Sequence, residues 1–215
     1  MQGIEFNEIF SPVIRYKSVC LMFALASLKG MYMTGLDVKT AFLYGKLDEE
    51  IYMTQPEGFV LNGQKYKVML LKRMLYGLKQ AMLAWWKELK AFMKKIGFRC
   101  MSSDAGIFIY KDKKGKKGRS VIAIIYVDNG LFMGLDKSLV NEKKQACMKH
   151  WECCDTGKVM EFLGMRITQS ATRVTIDQQA YLKKVLQCFQ MTNAKIAPTP
   201  LPTGYNPIKN TELDV

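Results

Sequence analysis

Two aspartates, Asp37 and Asp128, each follow a run of strand-forming residues and could together bind divalent cations. Asp37 lies near the end of MYMTGLDV, and Asp128 follows SVIAIIYV, which is rich in β-branched and aromatic residues. Carboxylates that converge from two strands suit a pair of Mg²⁺ ions, because the ions need shared anionic oxygens to offset their charge. This pattern therefore indicates a two-metal site for phosphoryl transfer.

The stretch around Asp128, IIYVDNGLFMG, places Asn129 and Gly130 between two apolar runs. Asn-Gly at such a position is a strong hairpin signal, because both residues tolerate a positive φ. We therefore expect Asp128 at the end of a buried strand, facing out at a turn. Taken alone, this stretch fits an ordinary surface hairpin as well as a catalytic turn.

The charge of the chain predicts an anionic partner. Its 215 residues carry 32 Lys and Arg against 19 Asp and Glu, a formal net charge of +13, and nucleic acid is the simplest partner for such an excess. The segment KDKKGKKGR, residues 111–119, is expected to be a solvated loop, and phosphate contact there stays open. We find no signal-peptide core and no run long enough to span a membrane, so we expect an intracellular protein without a membrane partner.

The six cysteines have no paired spacing, which is typical of a reduced protein. Cys147, His150, Cys153 and Cys154 could suggest a zinc site. However, they lie in an apparently helical stretch, and ordinary half-buried side chains explain them as well. We therefore do not expect metal binding there.

Hydrophobic periodicity predicts helices that alternate with strands and hairpins. The expected helices span residues 16–29, 71–96, 138–151 and 178–189, and the end of the chain is a Pro-rich tail. Strands are expected at IFIY, SVIAIIYV, MEFLGMRITQ and VTIDQ. The predicted fold class is α+β, with helices packed on one face of an antiparallel sheet.

The chain resembles the reverse transcriptase of Ty1/copia-type LTR retrotransposons. The resemblance rests on FSPVIR, LDVKTAFLYGKLDEEIYMTQPEGF, LKRMLYGLKQAMLAWW, IIYVDNGL and EFLGMRI, which follow one another in the family's order and cover most of the chain. It implies a right-hand polymerase, with N-terminally truncated fingers and the palm over residues 1–175. Residues 176–215 would be the start of the thumb and the Pro-rich tail.

The resemblance also implies roles for individual residues at the carboxylate site. Asp37 and Asp128 match metal-binding aspartates, and Val38 matches a residue whose backbone carbonyl helps to hold the metal. The metal would be Mg²⁺ or Mn²⁺. Asn129 occupies the position of the second aspartate in the family's Y-V-D-D turn, so it is a degenerate catalytic position.

Two further groups of residues carry implied roles in binding nucleotide and primer. Phe42 matches the aromatic steric gate that excludes a ribose 2′-OH, although a core aromatic would give the same local pattern. The segment that lines the nucleotide and template pocket corresponds to Tyr76, Gly77, Lys79 and Gln80, and the alternative is the start of an ordinary amphipathic helix. The primer-grip hairpin corresponds to Phe162, Leu163 and Gly164, and the alternative is a plain buried strand.

The departures from the family pattern predict impaired activity. Asn129 removes one carboxylate, Ala81-Met82 replaces the usual Ser-Pro, and a basic fingers segment that usually precedes FSPVIR is missing. The resemblance implies an RNA-directed DNA polymerase with an RNA template, a DNA primer and deoxynucleoside triphosphates as partners, in a cytoplasmic particle or the nucleus. Two alternatives remain, a non-catalytic basic nucleic-acid-binding protein and a non-functional transposon relic.

Overall fold

A computed structural model describes residues 10–60, 62–112, 119–170, 173–198, 201 and 204–205. The chain divides into two compact units, residues 1–177 and residues 178–215. The helices are α1 (Tyr16–Lys29), α2 (Ala81–Lys95), α3 (Lys137–His150) and α4 (Gln179–Cys188), with a short 3₁₀ helix at Ala41–Tyr44. The second unit contains α4, of which no residue is buried. No helix among these residues is long and apolar enough to cross a membrane.

A six-stranded sheet forms the centre of the first unit. Its strands are β1 (Tyr32–Val38), β4 (Phe98–Cys100), β5 (Ile107–Lys111), β6 (Ser120–Tyr126), β7 (Asn129–Gly134) and β8 (Cys153–Gly157). They run in the order β4-β5-β6-β7-β1-β8, and every neighbouring pair is antiparallel. The α+β prediction with an antiparallel sheet is confirmed.

Two smaller sheets complete the first unit. One is the hairpin of β2 (Tyr52–Thr54) and β3 (Val68–Leu70), and the other contains β9 (Glu161–Phe162), β10 (Met165–Gln169) and β11 (Val174–Asp177). The structure confirms strands in the predicted segments MEFLGMRITQ and VTIDQ, but a turn at Leu163 and Gly164 divides the first segment into β9 and β10.

Helices cover both faces of the central sheet, so the prediction that they pack on one face is wrong. Ala123 and Ile125 of β6 belong to the core that contains α2 and α3, whereas Ile124 between them belongs to a second core with α1 and β10. Successive strand residues point to opposite faces, so a continuous apolar run needs cover on both. The run SVIAIIYV is therefore buried on both faces, by α2 and α3 on one side and by α1 and β10 on the other.

The predicted helix over residues 71–96 begins ten residues later than expected. Residues 71–80 form turns, and Gly77 adopts a φ of 96°, a left-handed conformation that ends any continuous helix there. Leu71 donates its backbone N–H to Ile51, which continues the contact between the arms of the β2–β3 hairpin. Local turns and one long-range backbone hydrogen bond thus stand where helical bonds were expected, although the apolar spacing of the segment continues unbroken.

Candidate active site

Asp37 and Asp128 lie together at one end of the central sheet. Asp37 on β1 is directly opposite Asn129 on β7, Asn129 also pairs with Tyr126 of β6, and Asp37 pairs with Cys154 of β8. Directly opposed residues of antiparallel strands share a face. These four residues therefore form one row across the sheet, and Asp128 immediately precedes this cross-strand row in the turn between β6 and β7.

The turn that carries Asp128 lies two residues before the predicted position. Tyr126 pairs with Asn129, so the turn residues are Val127 and Asp128, and Val127 has a φ of 54°. Asn129 and Gly130 are strand residues, so the prediction that they form the turn is wrong. A β-branched residue in the left-handed region is uncommon, because its side chain crowds the backbone there.

Packing explains why Gly130 is a glycine within a strand. A Cβ at this position would lie 3.1 Å from Cδ1 of Leu36 and 3.2 Å from Cδ1 of Ile125. These two residues belong to the core beneath β1 and β6. The glycine therefore allows close packing below the cross-strand row, and it does not provide the conformational freedom of the turn.

The two carboxylates interact electrostatically. Burial raises the pKa of Asp37 above its ordinary value, and the negative charge of Asp128 raises it further. The side-chain amide of Asn129 donates a hydrogen bond of 2.9 Å to Oδ1 of Asp128. Asn129 therefore supplies a neutral donor at the position where the family pattern has a third anion.

An aromatic pair stands beside the carboxylates. The rings of Phe42 and Tyr76 lie 4.5 Å apart between centroids. Burial raises the pKa of the Tyr76 phenol, the charges of Asp128 and Asp37 raise it further, and a hydrogen bond with the backbone of Ala41 acts in the opposite direction. The structure thus brings the predicted steric gate and Tyr76 together next to the aspartates.

The other residues of the predicted nucleotide pocket are distributed differently. Gly77 follows Tyr76 in the left-handed turn described above, and Lys79 is exposed. Gln80 precedes α2, and its amide donates a hydrogen bond of 2.7 Å to Oε2 of Glu49. Its side chain lines an open groove between residues 46–49 and α2. The role of these residues in nucleotide binding stays a prediction.

The predicted primer-grip residues form a tight hairpin between β9 and β10. Leu163 and Gly164 are its two turn residues, with φ values of 52° and 71°, as expected for a two-residue turn with positive φ at both positions. Phe162 is buried, and its ring packs edge to face on Phe23 of α1 at 6.3 Å. One groove is lined by both Phe162 and Asn129, so the hairpin borders the cross-strand row.

The donor set fits one divalent cation better than two. Asp37 and Asp128 are two carboxylates whose mutual repulsion a cation would relieve. Among the residues that the structure describes, no group of three or more His, Cys, Asp or Glu side chains is placed to hold a metal. The Cys147–Cys154 segment is among the residues covered by this statement. The backbone N–H of Val38 donates a 2.8 Å hydrogen bond to the carbonyl of Asp128, and the metal-binding role of the Val38 carbonyl stays a prediction.

Part of the predicted basic loop is distant from the carboxylates. Residues 113–118 lie outside the described residues, but the loop joins the end of β5 to the beginning of β6. The cross-strand row crosses β6 at Tyr126, the opposite end of the strand. With a rise of about 3.3 Å per residue, the two ends of β6 are separated by roughly 20 Å.

Sequence reasoning did not identify Trp85 as a residue of this site. Trp85 lies on α2, and its indole N–H donates a 2.7 Å hydrogen bond to the carbonyl of Val127 in the turn. In the sequence it was one more apolar position of an amphipathic helix. The only available signal was a polar atom on a side chain that the helix periodicity places in the core.

Comparison with known proteins gives a consistent result over most of the chain. A family model described as reverse transcriptase (RNA-dependent DNA polymerase) matches residues 1–203. The retrovirus-related Pol polyprotein from transposon TNT 1-94 of Nicotiana tabacum is 40% identical over 202 residues, which are 93% of this chain and 15% of that protein. The corresponding polyprotein from transposon RE1 of Arabidopsis thaliana is 32% identical over 93% of this chain and 13% of its own length.

A shorter relative also matches. A putative transposon Ty5-1 protein of Saccharomyces cerevisiae is 34% identical over 167 residues, which are 77% of this chain and 53% of the relative. The chain thus spans only a small part of the polyproteins and about half of this shorter relative. No solved structure matches the chain.

Proposed function

This chain belongs to the reverse transcriptase (RNA-dependent DNA polymerase) family of Ty1/copia-type retrotransposons, and we propose that it is a polymerase domain whose nucleotidyl-transfer site is centred on Asp37 and Asp128. The central sheet corresponds to the palm of a right-hand polymerase. Residues 1–175 are its fingers and palm, and residues 176–215 are the start of the thumb and a tail. Its place of action, a cytoplasmic particle or the nucleus, stays a prediction.

One observation carries this proposal. Asp37 and Asp128 are 91 positions apart in the sequence, yet the pairing of β1 with β7 brings them to the same end of one sheet. The charge of one acts on the pKa of the other. A pair of adjacent carboxylates has a cost in the folded protein, because like charges repel. A bound divalent cation would remove that cost.

Asp37 and Asp128 would hold Mg²⁺ or Mn²⁺, with the carbonyl of Val38 as a further oxygen donor. When bound, such an ion offsets the charge of phosphate oxygens and lowers the pKa of an attacking hydroxyl. The protein's own residues position the reactants around it. The Phe42 ring would exclude a ribose 2′-OH, and Tyr76 supports Phe42 through their ring contact.

The template, primer and nucleotide would lie along the surfaces around this site. The deoxynucleoside triphosphate would contact Tyr76, Gly77, Lys79 and Gln80, and the DNA primer would lie against the hairpin of Phe162, Leu163 and Gly164. The groove between that hairpin and Asn129 supports this placement of the primer. The net charge of +13 supports contact with the RNA template and primer backbones.

Asn129 supports a second candidate function, a non-catalytic protein that binds nucleic acid. Its amide donates to Asp128, so it lowers the negative charge available to a cation instead of adding to it. A site with two carboxylates can retain the basic surface and the aromatic pair while it binds metal too weakly for catalysis. In this second candidate function, the protein binds the same nucleic acids as the polymerase but does not catalyse nucleotidyl transfer.

Primer extension on an RNA template with Mg²⁺ or Mn²⁺ separates the two candidates. The parent should extend a DNA primer slowly, and Asp37→Asn should abolish the extension. Glu142→Gln should not, because Glu142 is an exposed carboxylate on α3, outside the cross-strand row. Equal extension by the parent and Asp37→Asn would contradict the assigned site. Binding of the RNA–DNA hybrid without any extension by the parent would favour the non-catalytic candidate.

Both candidates predict salt-dependent binding of RNA–DNA hybrid or duplex. Neutralising Z phosphates gives a log–log slope of about −0.9Z on B-form duplex. Lys72 and Arg73 are exposed and, with Lys79, are the expected contributors. Replacing Lys72 with Ala should reduce the slope by about one unit. An affinity that does not change with salt would contradict both candidates.

A further inference from the structure

Trp85 is bonded to the turn that carries Asp128. Its indole N–H donates to the carbonyl of Val127 at 2.7 Å, and its side chain is 1% exposed in the core beneath the sheet. The acceptor residue, Val127, holds a φ of 54°. Val is a poor residue for this conformation, so an interaction from outside the turn is needed to maintain it.

The two carbonyl groups of the turn are held by different partners. The carbonyl of Asp128 accepts the backbone N–H of Val38, which is a contact within the sheet. The carbonyl of Val127 accepts the Trp85 indole, which is a contact from helix α2. The helix thus has a direct hydrogen bond to the residue before Asp128.

Val127 is half-buried and packs at the margin of the core that contains α2 and α3. A small apolar cavity of about 20 Å³ lies behind the turn, and Trp85, Ile125 and Val127 are among its lining residues. Trp85, in contrast, is held by aromatic neighbours, with Trp151 at 5.1 Å and Tyr44 at 6.1 Å between ring centroids. Trp85 is therefore a firmly packed donor for the Val127 carbonyl.

We propose that Trp85 is a positioning residue for nucleotidyl transfer, because its hydrogen bond to Val127 keeps the turn in the left-handed conformation that places Asp128 beside Asp37. The inference rests on the proposed function, in which these two aspartates receive the divalent cation. The hydrogen bond and ring contacts described for Trp85 involve Val127, Tyr44 and Trp151, and not the two carboxylates. Its effect reaches them through the backbone of Val127.

Trp85→Phe tests this role, with Trp86→Phe as the matched control. Phenylalanine keeps an aromatic ring in the core but removes the N–H donor. Trp86 is the next residue of the same helix. It lines the same small cavity as Val127, but its indole N–H donates to the carbonyl of Ala105 at 3.4 Å and not to the turn. Both variants thus lose one indole, and only one of them loses the bond to Val127.

The first readout is the backbone conformation of Val127, measured by the NMR scalar couplings that report φ. The second is the affinity for Mn²⁺, measured by electron paramagnetic resonance in the parent and in Asp37→Asn. Trp85→Phe should change the couplings and weaken Asp37-dependent Mn²⁺ binding about tenfold, the effect of losing one good hydrogen bond. Trp86→Phe should change neither.

Val127→Gly in the Trp85→Phe background separates positioning from core packing. Glycine adopts a positive φ without cost, so this second change should restore most of the Mn²⁺ affinity. Unchanged couplings and affinity in Trp85→Phe, or a loss that Val127→Gly does not restore, would overturn the inference. If the parent shows no Asp37-dependent Mn²⁺ binding, the proposed function fails, and the couplings of Val127 alone then decide whether Trp85 sets the turn.

Discussion

Asn129→Asp restores the carboxylate that the family pattern contains, and its effect should depend on the presence of metal. In the parent, the Asn129 amide donates a 2.9 Å hydrogen bond to Oδ1 of Asp128. The substitution replaces this attraction with repulsion between two neighbouring carboxylates, while Asp37 contributes a third negative charge opposite position 129. Without metal the variant should therefore be less stable than the parent.

The magnitudes follow from the exposure of these side chains. Asn129 is exposed and Asp128 is half-buried, so the repulsion is close to the value for water, about 1 kcal/mol for unit charges about 4 Å apart. A divalent ion at a similar distance gains about twice that from the added carboxylate, about 2 kcal/mol. This corresponds to roughly 30-fold tighter binding of the ion.

Urea unfolding with and without Mn²⁺, together with Mn²⁺ titration by electron paramagnetic resonance, measures both effects. Asn141→Asp is the matched control, because it adds the same negative charge far from the two aspartates. Asn141 lies on α3 and accepts a 3.4 Å hydrogen bond from Tyr32, which is at the opposite end of β1 from Asp37. Only Asn129→Asp should lose stability without Mn²⁺ and recover it with Mn²⁺. Unchanged Mn²⁺ affinity would refute the conclusion that the lost carboxylate limits the site. Primer extension should improve only partly, because Ala81-Met82 still departs from the family pattern.

Three further predictions concern the scaffold beneath the site. Lys144 is 4% exposed and forms a 2.7 Å ion pair with the half-exposed Asp155. Lys144→Met should lower the free energy of unfolding in urea by about 1–3 kcal/mol. Lys149→Met, on the exposed face of α3, should change it little. The hydrogen bond from Lys144 lowers the pKa of Asp155 below its ordinary value of 3.8. The ionised Asp155 therefore stabilises the fold above pH 3.8, and this stabilisation is lost as the pH falls through the pKa of the folded state. In Asp155→Asn the free energy of unfolding should depend less on pH in this acidic range. Gly106→Ala should cost about 1–3 kcal/mol, measured by thermal unfolding, because its Cβ would lie 2.5 Å from Cβ of Ile14 and 3.0 Å from the Ile14 backbone.

The sequence by itself determined most of the elements and the family to which the chain belongs. Apolar runs with strand-forming residues predicted β1 and the β6–β7 hairpin, and hydrophobic periodicity predicted the bounds of α1, which the structure confirms. The ordered motifs identified the family, which the comparisons confirm. These signals are local, because hydrophobic period and motif order depend on neighbouring residues only.

Tertiary structure decided the features that depend on register and long-range contact. The pairing of Asp37 with Asn129 assigned the turn to Val127 and Asp128, although Asn129-Gly130 has the better local turn chemistry. Residues 71–80 form turns where the sequence predicted a helix, with Gly77 in the left-handed region and a backbone hydrogen bond from Leu71 to Ile51. The bond from Trp85 to Val127 joins residues 42 positions apart. No local pattern encodes such a contact, because it exists only once α2 has packed on the sheet.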